Sequence, residues 1–170
     1  MSYYVFVDAN VILDFSEPKD DGIFQKFQDF LCLQENSEFY TTNYILIFEV
    51  NDSAYLEEIL GNSLKEYQVS LNELYTREPP PGIDLGEWSI FLAVESLERN
   101  GVNCCVLCND KSARMFFESR GFLPCEHITP PPNGVGGTWG ILEHLKLRGI
   151  ISHQEKEKIL DKMRSSGRRL

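Results

Sequence analysis

Four acidic residues sit where carboxylates can act together: Asp8, Glu49, Glu87 and Asp110. Asp8 ends the apolar run Tyr3–Val7, and Asp110, preceded by Asn109, ends the run Val102–Cys108. Both runs read as buried strands, and in parallel α/β sheets ligands bind beyond the carboxyl ends of the strands. Glu87 lies in the first turn of a helical segment opening at Asp84. Glu49 interrupts the apolar stretch Tyr44–Val50, where a carboxylate is costly to bury unless something satisfies it. Gathered in one cleft, four carboxylates raise one another's pKa, and a divalent cation relieves the repulsion. All-oxygen donors select Mg²⁺ or Mn²⁺ over zinc, and Mg²⁺ keeps waters and takes few carboxylates, so one or two ions suit the set. Each residue also has a structural use. Asp8 can begin a turn, Asp84 and Glu87 fit a capping box, Asn109 or Asp110 suits a helix N-cap, and Glu49 can face solvent. The four gain weight together, because strand-end geometry can carry them all to one rim.

The elements that must position these side chains alternate between strand and helix. Strands are expected at 3–7, with a turn after it, at 38–42, weakly at 67–70, at 102–108 and within 122–129. Helices are expected at 22–34, 43–60 with a break near Asp52, 84–100, 110–119, 138–148 and 153–164. Residues 84–100 are apolar almost all round and should be largely buried. Two triple prolines, Pro79–Pro81 and Pro130–Pro132, mark loops rather than boundaries. The pattern predicts an α/β fold, a three-layer α/β/α sandwich with a mostly parallel central sheet and a C-terminal helical extension. A main domain is expected over 1–150, with 151–170 forming a basic helix and tail packed on it or extending from it.

A chain of 170 residues with net charge −10 does not have the basic surface of a general nucleic-acid coat. The charge is uneven. Residues 141–170 hold eight Lys/Arg against four acids, and the other 140 residues hold eight against twenty-two. No apolar run is long enough to span a membrane. The five cysteines, an odd number, and an N-terminus without a signal-like pattern suggest reduced thiols and a cytoplasmic location.

YVFVDANVILDF from Tyr4 resembles the opening strand of PIN-domain nucleases, where an Asp at the strand end is followed two residues on by Asn, Thr or Ser. TTNYILIFEV from Thr41 is similar to the segment carrying the family's second acid. IDLGEWSIFLAVESL from Ile83 resembles the segment of the third, and VLCNDKSARMFFESRGF from Val106 that of the fourth. GGTWGILEHLKLRGII from Gly136 is similar to a toxin-like (VapC-type) prokaryotic subgroup. The resemblance covers about the whole chain. It departs where Asn109-Asp110 stands for two acids, and where Trp88 replaces a small residue after Gly-Glu.

The resemblance implies a metal-dependent endoribonuclease that hydrolyses RNA phosphodiester bonds with Mg²⁺ or Mn²⁺. Asp8, Glu87 and Asp110 would be the ligands, and Glu49 a ligand or a base that positions water. Asn10 would hold Asp8 or a water, and Asn109 would do the same for Asp110. Thr138 would offer a hydroxyl at the rim or cap a helix. Lys111, Arg114, Lys146 and Arg148 would contact RNA phosphates, or form solvated helix faces. A cognate antitoxin protein and a homodimer are the partners the resemblance suggests, with no membrane partner. The alternative is a non-catalytic PIN-like module that binds RNA or protein, which Asn109 would allow.

Other motifs point elsewhere less well. The glycine-rich stretch at 134–137 lacks the Gly-Lys-Ser/Thr of a Walker A loop. A zinc site from Cys105, Cys108, Cys125 and His127 is disfavoured, because side chains three apart on a strand face opposite sides. A haloacid-dehalogenase-type phosphatase wants Asp-x-Asp after the first strand, where this chain has Asp8-Ala-Asn10.

Overall fold

A computed structural model describes residues 3–34, 36–51, 53, 55–122 and 137–170. The elements run β1 (Tyr3–Val7), α1 (Ala9–Ser16), α2 (Asp21–Cys32), β2 (Ser37–Thr42), α3 (Asn43–Phe48), α4 (Leu56–Ile59) and β3 (Leu64–Tyr67). They continue with α5 (Leu71–Thr76), α6 (Leu85–Arg99), β4 (Cys104–Leu107), α7 (Lys111–Ser119), α8 (Thr138–Leu147) and α9 (His153–Ser165). The four strands form one all-parallel sheet in the order β3-β2-β1-β4. The architecture is the expected three-layer α/β/α sandwich. Among the described residues no helix is long and apolar enough to cross a membrane.

The central position of β1 follows from its residues. Val5, Phe6 and Val7 are fully buried, as a strand covered on both faces requires. Their register sets Phe6 beside Tyr40 of β2 and Val106 of β4. Rings of Phe6, Tyr40 and Tyr67 meet edge to face or tilted across three strands. One helical layer joins α1, α2, α8 and α9. The other is built on α6, which packs on β2 and β4 and meets α5 and, through Trp88, Phe91 and Phe116, α7.

Several elements differ from expectation. The chain does not merely turn after β1: α1 starts at once, burying Val11, Ile12 and Phe15. The expected helix over 43–60 is two short ones, α3 and α4: α3 closes where the N–H groups of Glu49 and Val50 both bond the Ile45 carbonyl. The weak strand lies at Leu64–Tyr67 rather than 67–70. Pairing with β2 seats the fully buried Leu64 opposite Phe39. Val69 instead bonds the Asn43 side chain through both its N–H and its C=O, and α5 follows. The strand expected within 122–129 lies outside the described residues after Phe122.

The last two helices form an antiparallel pair. α8 starts at the carboxyl edge of the sheet, where Thr138 bonds Asn109. It ends at the opposite edge, where His144 bonds Gln34 at 3.0 Å and stacks edge-on against Phe30. α9 returns, fastened to α8 by buried Lys156, which pairs with Glu143 at 2.7 Å and lies over the Trp139 ring. Past α9, Gly167 adopts φ 90°, a left-handed cap that turns the chain out of the helix.

Arg168 then reaches α1. Its Nε donates to Asp14 Oδ1 at 2.6 Å, and its terminal nitrogens bond Glu17 and both the carbonyl and side-chain oxygens of Asn10. Asn10, Asp14 and Glu17 share one face of α1 through i, i+4, i+7 spacing. Asp14 is fully buried. Arg168→Ala would leave its carboxylate without a counter-charge, an expected loss of about 2–5 kcal/mol. Urea unfolding should show that loss, and Asp14→Asn in the same chain should restore part of it. Equal losses with and without Asp14→Asn would refute the pairing as the cause.

Candidate metal and phosphodiester site

Asp8 leaves β1 at the sheet's carboxyl edge. Its own N–H still donates to Leu107 of β4 at 2.9 Å, so its backbone is held between two strands. It is 2 % exposed, and its Oδ2 is buried without a hydrogen-bond partner. Thr41, one strand over, ties the same edge by donating to the Val7 carbonyl.

Glu87 arrives from the opposite layer. Asp84 Oδ1 accepts from Glu87 N at 2.8 Å, and Glu87 Oε2 accepts from Asp84 N at 3.1 Å. The capping box is therefore real, and it does not remove Glu87 from the site: one oxygen caps α6 while the residue stays 3 % exposed beside Asp8. Thr42 holds this turn against the sheet, sharing a 2.6 Å hydrogen bond with Ser89, whose hydroxyl donates to Gly86 O.

Glu49 ends α3. Its carboxylate lies directly over Gly86, so close that an added Cβ there would collide with both oxygens. Its Oε2 is buried and without a partner. A side chain at Gly86 would therefore displace the Glu49 carboxylate, while the backbone there is ordinary helix.

Burial raises all three carboxyls, and mutual repulsion adds to it. Asp8 is pushed up to about 7, by desolvation first and then by Asp84 and Glu49. Glu49 is pushed up to about 7 by desolvation, Asp84 and Glu87. Glu87 is pushed up to about 8 by desolvation and Asp84, with Asp8 and Asp110 adding less. No lysine or arginine stands among the leading influences on any of them. Asp84 acts on all three. In the sequence Asp84 reads only as a cap, and its acidic type beside Gly86-Glu87 is the signal for this second role.

The other expected residues are distributed differently. Asp110 is exposed and caps α7, its Oδ1 accepting from Ala113 N at 2.8 Å. Asn109 does not hold Asp110: its amide donates to Asp14 and Thr138, and its Oδ1 accepts from Thr138 N. Thr138 is the first residue of α8 rather than its cap, which is Gly137, and its hydroxyl donates to Asp14. The Asn10 side chain holds Arg168, whereas its backbone N–H, with that of Ala9, bonds the Asp8 carboxylate and partly offsets the rise caused by burial. Asp14 and Arg168 are the centre of this second network, so Arg168 of the basic C-terminal stretch is held by an acid of α1.

Lys111 and Arg114 lie on α7, close to Asp110. Lys146 and Arg148 lie at the far end of α8, roughly 15 Å down a ten-residue helix from the rim, and Lys146 pairs with Glu143. The basic segment therefore does not meet the acids as one surface. Cys105 and Cys108 are both buried, and burial with nearby Asp8 and Glu87 holds the Cys108 thiol protonated. Cys125, His127 and the glycines at 134 and 136 lie outside the described residues.

The donor set fits a hard divalent cation. Two orphaned buried carboxylate oxygens, on Asp8 and Glu49, need a donor or a cation, and every candidate ligand is oxygen. Among the described residues no three His, Cys, Asp or Glu side chains already close around one point. An ion here would rely on few carboxylates and retained water, as Mg²⁺ does.

The raised carboxyls give stability a definite pH dependence. Their folded pKa values exceed the unfolded ones, so the native state keeps protons that the unfolded chain releases. The resulting stabilisation is full below the unfolded pKa and lost as pH rises from about 4 toward about 8. Metal-free protein should melt lower at about pH 8.5 than at about pH 5.5, by about 2–4 °C for each kcal/mol lost. Asp8→Asn should flatten this slope. Buried His144, whose pKa is lowered, acts in the opposite sense in both proteins and cancels in the comparison. Mn²⁺ should raise the melting temperature more at the higher pH, because the ion competes with protons. Identical slopes in parent and variant would count against the cluster.

Comparison with protein-family models, with curated proteins and with solved structures returned no match.

Proposed function

We propose that the chain is a metal-dependent ribonuclease of the PIN type, resembling the toxins of toxin–antitoxin pairs. The observation that carries this reading is the cluster of Asp8, Glu49 and Glu87 at the carboxyl edge, Asp8 and Glu87 buried and Glu49 half-buried, with two orphaned oxygens and no lysine or arginine among the main influences on it. The order of acidic motifs along the sequence supports it independently.

Asp8 and Glu49 would hold Mg²⁺ or Mn²⁺ through their orphaned oxygens. Glu87 offers the oxygen its capping box leaves free, and Asp110 offers Oδ2. A bound ion supplies an activated water and charge stabilisation at the phosphate. The chain's own residues do the positioning. The β1–β4 backbone bond fixes Asp8, the box at α6 fixes Glu87, and Gly86 lets Glu49 approach both. Where Glu49 did not hold the ion, it would serve instead as the base that positions the water. A cognate antitoxin and a homodimer remain part of this reading.

A second reading is favoured by two observations. Asn109 is committed to Asp14 and Thr138, and Asp110 is exposed and caps a helix, so the fourth-acid position contributes less than in the family pattern. A non-catalytic PIN-like module would keep the fold and hold RNA or protein without cleavage.

Asp8→Asn should lower Mn²⁺-dependent cleavage of a single-stranded RNA by about 100-fold or more, while Arg148→Ala leaves it unchanged. Product bands on a denaturing gel give the readout. Cleavage that survives both Asp8→Asn and EDTA would sink the metal mechanism, and no cleavage by the parent in Mn²⁺ or Mg²⁺ would favour the module.

A further inference from the structure

We propose that the cleft between the start of α7 and the C-terminal tail is a subsite for a nucleic-acid phosphate, held by Lys111 and Arg169. It rests on the reading above, and adds where the backbone beside the cleaved bond is gripped. The cleft encloses about 420 Å³ and is walled by Asn10, Asp110, Lys111, Gly167, Arg168 and Arg169, with Asn109 between them. Asp110 connects it to the carboxylate cluster, since its charge is felt at Glu87.

The three cations of the cleft are not equivalent. Arg168 is 15 % exposed at its side chain and is neutralised by Asp14 and Glu17. It is the anchor. Lys111 and Arg169 are exposed, and among the described residues neither forms an ion pair. Their charge is available to a ligand. The turn at Gly167 separates the two tail roles, because the residues after a left-handed cap leave the helix direction: Arg168 enters the α1 face and Arg169 lines the opening.

Charge complementarity selects the occupant. Outside residues 141–170 the chain carries twenty-two acids against eight Lys/Arg, so a polyanion is repelled over most of the surface. A pair of uncommitted cations in a polar cleft beside the carboxylates gives a phosphate local compensation there. Lys146 and Arg148 cannot serve the same phosphate from the other end of α8.

The test is binding of a fluorescein-labelled single-stranded RNA oligonucleotide, by anisotropy in EDTA over a KCl series, so that cleavage plays no part. Lys111→Ala/Arg169→Ala should weaken binding and reduce the slope of log K against log salt by about 1.4, two phosphate contacts at about 0.7 each for a single strand. Lys146→Ala/Arg148→Ala should change neither. Both rim side chains are exposed, so the melting temperature should hold, and Lys111→Arg should retain the slope. An unchanged slope in the rim variant, equal weakening in the far-end variant, or no RNA binding by the parent would each overturn the subsite. Cleavage abolished by Asp8→Asn but untouched by the rim double variant would overturn the subsite alone. Salt-sensitive binding through Lys111 and Arg169 without any Mn²⁺-dependent cleavage would overturn the nuclease reading and leave the subsite standing.

Discussion

Gathering carboxylates at the carboxyl edge of a parallel sheet, with no lysine or arginine among the main influences on them, is the constraint around which this structure is arranged. A lone ionised carboxylate is expensive to take out of water, and several together repel. The fold meets that cost by protonation, with Asp8, Glu49 and Glu87 all raised to near neutrality. The rest of the architecture holds them in place despite it. β1 is buried on both faces, α6 is fastened by its capping box, and Thr42 and Ser89 join strand to helix. The N-terminal end of α6 also carries partial positive charge, which favours Asp84 and Glu87 where they stand.

Another buried acid, on the helix that follows β1, has a different set of partners. Asp14 is also shielded from water, but it receives hydrogen bonds from Asn109, Thr138 and Arg168. The chain thus supplies both oxygens of the buried Asp14 with side-chain donors, whereas one oxygen each of Asp8 and Glu49 is left without a partner. That contrast separates an acid that organises structure from acids left open to a ligand. It also changes the meaning of Asn109. In place of a weakened metal ligand, it is the bridge that joins the end of β4, the start of α8 and α1.

The uneven charge of the sequence resolves into two places. Residues 146–148 stand at the sheet's amino edge, whereas residues 168–169 are brought back to the carboxyl edge by the antiparallel return of α9. Within the returning pair, one arginine is consumed by α1 and the other borders the cleft. Linear clustering of Lys and Arg therefore overstated the basic surface near the acids.

Periodicity made the layer architecture readable from the residues, because the apolar runs of β1 and β4 and the apolar spacing of α2 and α6 are local patterns. The capping box at Asp84–Glu87 was readable for the same reason, being an interaction across three residues. The short elements α1, α3, α4, α5 and β3 are not readable in this way, since so few residues carry little periodic signal and pairing with a neighbour chooses among registers. Asp8, Glu49, Glu87 and Asp110 could be named because strand ends are predictable. That Asp84 joins them, that Asp110 stands at their edge, and that Asp14 meets Arg168 depended on contacts between residues up to 154 positions apart. Local spacing carries no record of such contacts. They exist only once helices cross and the chain returns, and there the burial of each carboxylate, and the partner it finds, are decided.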